Sequence, residues 1–281
     1  MRVGLVVGAA AAVLGCGSGP GKPPAPRPAP PAAVAEESPA GPFRLRFRLP
    51  LVYEIGRYDS LAFSGPGAGP PQVSGKLGVV RLQPAGGRLE ISLDSLAAAP
   101  GSGLTRPAID SAVGARWQVP FSPSGPAGSI TANRRTIAVE QIGEIVRLLV
   151  PSLPRDGLKS QDAWTDSTSY PIQVDAFQAL ESVVRRSRAG PLARVQGATT
   201  TVTVEELLTR TGKATQAGQG MTMTAGGRRQ VSYELAPEGW VRGLTGRDSL
   251  EIRVTVVATG QPIPVHWRTT FFARLRAPSG R

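Results

Sequence analysis

The 281 residues carry 32 lysines and arginines against 20 acids, a formal net charge of +12, with one cysteine and one histidine. That inventory excludes an intramolecular disulfide framework and any zinc site assembled from several Cys and His ligands. It also leaves His266 as the single imidazole for acid–base work near neutral pH.

Met1-Arg2 places one positive charge ahead of an uncharged apolar run from Val3 to Leu14. A membrane-crossing helix needs about 20 apolar residues for roughly 30 Å of hydrocarbon; this shorter run fits the apolar region of an export signal. It ends in Val13-Leu14-Gly15-Cys16, which resembles the lipobox of bacterial lipoproteins. The resemblance implies a signal peptide over 1–15, cleavage before Cys16, and acylation of that thiol as a membrane anchor. A lone cysteine in an exported chain has no disulfide partner, and lipidation gives it a purpose. One acyl chain holds a protein marginally, whereas two or three hold it stably at about 0.8 kcal/mol per buried CH₂. Gly17, rather than Asp, after the cysteine implies the periplasmic side of the outer membrane by the sorting habit of enteric lipoproteins.

The lipidated cysteine opens a linker rich in Pro and Gly over 16–42. Such a stretch buries no core and favours polyproline II, about 3.1 Å per residue, for a reach on the order of 80 Å.

Residues 43–281 read as a β-rich globular domain. Phe43, Leu45, Phe47 and Leu49 alternate with Arg44, Arg46 and Arg48, which predicts a half-buried antiparallel strand. Leu89-Ile91-Leu93, Val231-Tyr233-Leu235 and Leu250-Ile252-Val254-Val256 repeat the alternation. Further strands are expected near 52–63, 73–83, 115–121, 165–173 and 193–206, and residues 175–188 are assigned to strand. Turn signals stand at Pro84-Ala85-Gly86-Gly87, Ala225-Gly226-Gly227, Pro237-Glu238-Gly239 and Thr259-Gly260-Gln261-Pro262. They make the chain from Gly227 to Leu275 a meander of four strands.

One segment changes period. Ile142, Ile145, Val146 and Leu149 fall at helical spacing, predicting a connecting helix near 139–150 that stops at Pro151. The fold class is therefore mainly β: a curved antiparallel sheet or half-barrel with one connecting helix. The layout also allows two similar β halves divided near 151–163. It loosely resembles the periplasmic lipoprotein carriers of the LolA/LolB and LppX type, a likeness of pattern without a shared motif.

Chemistry is sparse. His266 alternates with Val265 and Trp267, the position of a surface or core-edge histidine. No G-x-S-x-G or S-x-x-K occurs for a serine nucleophile, and no Walker spacing follows Gly75-Lys76 or Gly212-Lys213. Asp162 and Asp166 read as turn or cap residues beside Trp164, and Glu205-Glu206 as isolated acids. No catalytic residue, metal ligand or cofactor is assigned; the one site residue is Cys16, for lipidation. Arginine clusters at 134–135, 185–188 and 228–229 suit anionic lipid head groups if they are functional, or reflect composition alone; export argues against nucleic acid. Two functions remain: a non-catalytic envelope lipoprotein holding a lipid or other apolar ligand in a curved sheet, or a structural or assembly lipoprotein acting through protein contacts. An envelope hydrolase would require two close, inward-facing acids in a cleft.

Overall fold

In the computed structural model, the described residues are 41–65, 69–102, 104–174 and 176–276. The expected signal peptide, Cys16 and all but the end of the linker lie outside them.

Twelve strands form: β1 Leu51–Phe63, β2 Gln72–Ala85, β3 Arg88–Ala98, β4 Arg116–Ser122, β5 Gly125–Pro126, β6 Thr131–Ala132, β7 Ala163–Val174, β8 Phe177–Ala189, β9 Thr200–Gln216, β10 Gln219–Ala236, β11 Trp240–Val256 and β12 Pro262–Leu275. Two helices accompany them, α1 Arg106–Ala112 and α2 Ile137–Leu148. Eleven strands pair side by side in the order β5-β4-β3-β2-β1-β12-β11-β10-β9-β8-β7, with β6 beside β4. Every pairing is antiparallel. The sheet curls into the expected half-barrel. Because β1 pairs with β12, the first and last strands meet in its middle, and strands before and after residues 151–163 share one sheet.

The alternation in the sequence explains the strands. In β9, Val202, Val204 and Leu208 point inward while Thr201, Thr203 and Glu205 face out. α2 lies against the inner face. Thr136 caps it by accepting a hydrogen bond from the Val139 amide at 3.3 Å, Glu140 sits in the first turn and Arg147 in the last, which suits the helix dipole. Its Val139, Ile142, Ile145 and Val146 join Tyr53, Ile55, Ile91, Trp117 and Leu235 in the main core. A second apolar cluster forms further along the strands around Val183, Leu208, Met223, Leu250 and Val265.

Several expectations are corrected. The segment 43–49 alternates as read, with Phe43, Leu45 and Phe47 buried, but it joins no strand of the sheet. Its backbone bonds go to three separate loops: Phe43 to Leu158, Leu45 to Pro123 and Arg46 to Gly239. Leu49, expected on the buried face, is 63 % exposed. The chain from Gly227 to Leu275 holds the last part of β10 with β11 and β12, not four strands.

The reason is that Ala225-Gly226-Gly227 does not turn; it runs through β10, and the turn falls at Ala217-Gly218, both at positive φ. A Cβ on Gly227 would stand 2.1 Å from the Ser249 carbonyl oxygen, so glycine is there to let β11 approach. The strand expected near 193–206 begins at Thr200. α1 was not foreseen: seven residues opening with Arg106-Pro107 are too short to show a period.

Candidate functional site

Between the two apolar clusters, the inner face of the sheet carries ionised side chains in register. Directly opposed across neighbouring strands stand Asp59, Thr269, Asp248, Arg229, Glu206, Arg185 and Asp166, from β1 through β12, β11, β10, β9 and β8 to β7. From Asp248 onward the charges alternate in sign. Arg229 bridges Asp248 at 3.3 Å and Glu206 at 3.1 Å, and Arg185 bridges Glu206 at 2.7 Å and Asp166 at 2.9 Å. Opposite charges facing each other across strands attract through the shortest path a sheet offers, and each guanidinium uses its fork to hold two carboxylates.

A shorter row lies beside it. Tyr170, Glu181 and Arg210 are opposed on β7, β8 and β9, with the Tyr170 hydroxyl donating to Glu181 and Arg210 paired to the same carboxylate at 2.5 Å. The helix joins both ends. Glu144 of α2 pairs with Arg210 at 3.2 Å and with Arg57 of β1, which also holds Asp59 at 2.9 Å and donates to the Gln141 carbonyl at 3.3 Å. Lys76 approaches Asp59 at 3.5 Å. Trp267 completes the cluster: its indole N–H donates to Asp59 at 3.0 Å, and the Arg57 and Arg210 guanidiniums lie 5.7 Å and 5.8 Å from its ring centre.

Burial and charge compete at each group. Burial pushes the Glu144 carboxyl up, but Arg57 and Arg210 outweigh it and hold it well below the usual carboxylate range. Asp59 is likewise lowered, Arg57 and Lys76 prevailing over burial, as is Glu181, where Arg210 and Arg229 prevail. Asp248 goes the other way: burial outweighs Arg229 and raises it, and its Oδ1 is buried without a hydrogen-bond partner. For Lys76, burial outweighs Asp59 and lowers the ammonium.

Beside these rows, α2, the 126–132 segment and the inner faces of β7 to β10 enclose an open cavity of about 980 Å³. Trp117, Val202, Val204 and Leu148 supply apolar wall; Glu206, Arg229 and Arg185 form an ionic floor; Arg135 and Arg147 stand toward α2. Arg147 lies over the Tyr170 ring, 5.2 Å from its centre. Among the described residues, no group of three or more His, Cys, Asp or Glu side chains is placed to hold a metal ion, and no described helix is long and apolar enough to cross a membrane.

The residues singled out in the sequence divide. Cys16 lies outside the described residues. His266 projects from the outer face of β12 and is exposed, opposite to Val265 and Trp267. Asp162 is a turn residue, accepting the Lys159 amide at 2.7 Å. Asp166, read as a turn or cap, is instead the last member of the ionic row. Glu205 faces out while Glu206 is 2 % exposed. The arginine clusters split the same way, with Arg185 and Arg229 turned inward and Arg186, Arg188 and Arg228 exposed. The sequence did carry a signal for the buried ions. Arg57 and Asp59 are in phase with Tyr53 and Ile55, Glu206 and Arg210 with Val204 and Leu208, and Arg229 with Val231 and Tyr233. A charge in the apolar phase of a long strand marks a buried ion that needs a partner.

No protein-family model matches the chain, and no curated protein matches it. Among solved structures, a chain described under "Asymmetric conductivity of engineered proteins" is similar at 9 % identity and a TM-score of 0.26, covering 80 % of this chain and 100 % of its own. A likeness of that size carries no argument about fold or function.

Proposed function

We propose that this is a bacterial envelope lipoprotein, tethered through a lipid on Cys16, whose half-barrel holds an amphipathic ligand without transforming it. The observation that carries the ligand reading is the cavity of about 980 Å³ between α2 and β7–β10, within the usual size range of small-molecule sites. Its apolar wall suits a hydrocarbon chain and its ionic floor a polar end. The non-catalytic part rests on the inward glutamates: Glu144, Glu181 and Glu206 are each paired with an arginine, which ties these three up as ion-pair partners. The tether rests on Val13-Leu14-Gly15-Cys16, and the exposed Arg186, Arg188 and Arg228 would favour anionic head groups near the anchor.

Both parts have direct tests. Expressed in a diderm bacterium with labelled palmitate, the chain should take up label and partition with membranes, and Cys16→Ser should lose both; label retained by that variant overturns the anchor. Protein extracted from membranes should release a stoichiometric amphiphile, detected by mass spectrometry of the organic phase. Repeated preparations without one, together with no uptake of added alkyl ligands, would overturn the carrier reading.

A second reading, assembly through protein contacts, is favoured by a different observation. On the outer face of β8 and β9, Leu180, Val184 and Leu207 are 49 %, 43 % and 47 % exposed, with Val184 directly opposite Leu207. Crosslinking from those positions in the native envelope should return a discrete protein if that face is an interface.

A further inference from the structure

The inner wall of the cavity has hydrogen-bonding groups left over once its charges are matched. Asp166 gives Oδ1 to Arg185, but its Oδ2 is buried without a partner. Beside it on the same face of β7, the Trp164 indole N–H is also buried without one, but Trp164 does not line the cavity. Ser187 stands directly opposite Trp164, is 5 % exposed and lines the cavity. Tyr233 lines it too, is 3 % exposed, and lies within electrostatic reach of Asp166 and Arg185. Neither hydroxyl bonds to another described residue. The cavity lining therefore offers one orphan acceptor, at Asp166, and two hydroxyls able to donate or accept, at Ser187 and Tyr233.

Charge on this wall is already spent. Arg185 and Arg229 each bridge two carboxylates, so at this end of the cavity a phosphate or carboxylate would have to displace Glu206 or Asp166 to reach either guanidinium; Arg135 and Arg147 stand at the α2 side. A quaternary ammonium would meet a carboxylate already held by Arg185, and could donate no hydrogen bond to Asp166 Oδ2. A ligand that both donates and accepts without bringing charge suits all three groups. Hydroxyls on adjacent carbons do this.

We infer that the cavity reads an uncharged polyol head group, a glycosyl or glyceryl end, at Asp166, Ser187 and Tyr233, with the ligand's hydrocarbon running along the apolar wall. This rests on the ligand-binding reading proposed above and narrows it to a chemical class. Tyr233 and Ser187 set specificity by hydrogen bonding, and Asp166 orients the ligand by accepting one hydroxyl.

The test titrates the purified full chain with decyl glucoside, decyl phosphate and decyl trimethylammonium, each below its micelle-forming concentration, by calorimetry. Decyl glucoside should bind about tenfold tighter for each additional buried hydrogen bond it satisfies. Tyr233→Phe should weaken glucoside binding several-fold and leave decyl phosphate binding unchanged, and Asp166→Asn should weaken glucoside binding several-fold without weakening decyl phosphate binding, with circular dichroism and thermal midpoint reporting on folding. Equal affinities across the panel, tighter phosphate binding through Arg135 and Arg147, or unchanged glucoside binding in Tyr233→Phe overturns the polyol reading and leaves ligand binding standing. No binding by any of the three overturns both.

Discussion

Arg229→Leu removes the guanidinium that holds Asp248 at 3.3 Å and Glu206 at 3.1 Å. Glu206 keeps Arg185 at 2.7 Å, so the larger loss falls on Asp248. That side chain is 4 % exposed, already has an unpartnered oxygen, and would have no cation of the described residues left within salt-bridge distance. Removing one partner of a buried pair costs about 3–5 kcal/mol, because the other charge stays desolvated. Replacing both partners by apolar groups of similar size is often neutral, so Arg229→Leu combined with Asp248→Leu should recover most of the loss. Urea unfolding of the single and double variants at neutral pH, read by tryptophan fluorescence, gives the coupling directly. The cost of the single variant should also shrink in acid, since a protonated Asp248 buries no charge. A single-variant loss below about 1 kcal/mol, or a double variant no more stable than Arg229→Leu, would refute the claim that the row is a set of interdependent charges.

Other expectations follow from the same geometry. The carboxyls of Glu144, Asp59 and Glu181 are lowered in the folded protein, so the unfolded chain takes up their protons first as pH falls. Their stabilisation is complete above the ordinary carboxylate values of 3.8 and 4.5 and is lost progressively below them. Asp248, which is raised, protonates first in the folded state, so its opposing gain falls above its ordinary value of 3.8 and is complete below it. Three groups against one should lower the urea midpoint below about pH 4.5; a midpoint flat down to pH 3 would contradict the assignment. Gly227→Ala, whose Cβ meets the Ser249 oxygen at 2.1 Å, should destabilise by about 1–3 kcal/mol. Gly226→Ala, with nothing within 4 Å, should cost less than 1 kcal/mol, and equal losses for the two would refute the close-approach argument. Thr136→Ala, which removes the cap on Val139, should cost about 1 kcal/mol of thermal or urea stability.

What the sequence by itself determined was local. The strands expected near 52–63, 73–83, 115–121 and 165–173 fall within a few residues of β1, β2, β4 and β7, alternation marked β3 and the second half of β11, and helical spacing with a proline stop marked α2. Those signals depend on neighbours a few positions apart, so they survive without any knowledge of partners. They misled where a partner strand changed a residue's meaning. Gly226-Gly227 became strand because β11 passes too close for a side chain, and 43–49 lies among loops despite its clean alternation.

The candidate site was decided by tertiary structure. Apart from Arg57 with Asp59, two positions apart on β1, the paired charges come from different elements, as for Arg229 with Asp248, 19 positions apart, and Arg57 with Glu144, 87 apart. The phase of Arg57, Glu206, Arg210 and Arg229 announces that each must be buried. Only the register of seven strands, and the placement of α2 across them, determines which charge neutralises which. The cavity arises for the same reason, since its wall and floor come from segments that no local pattern connects.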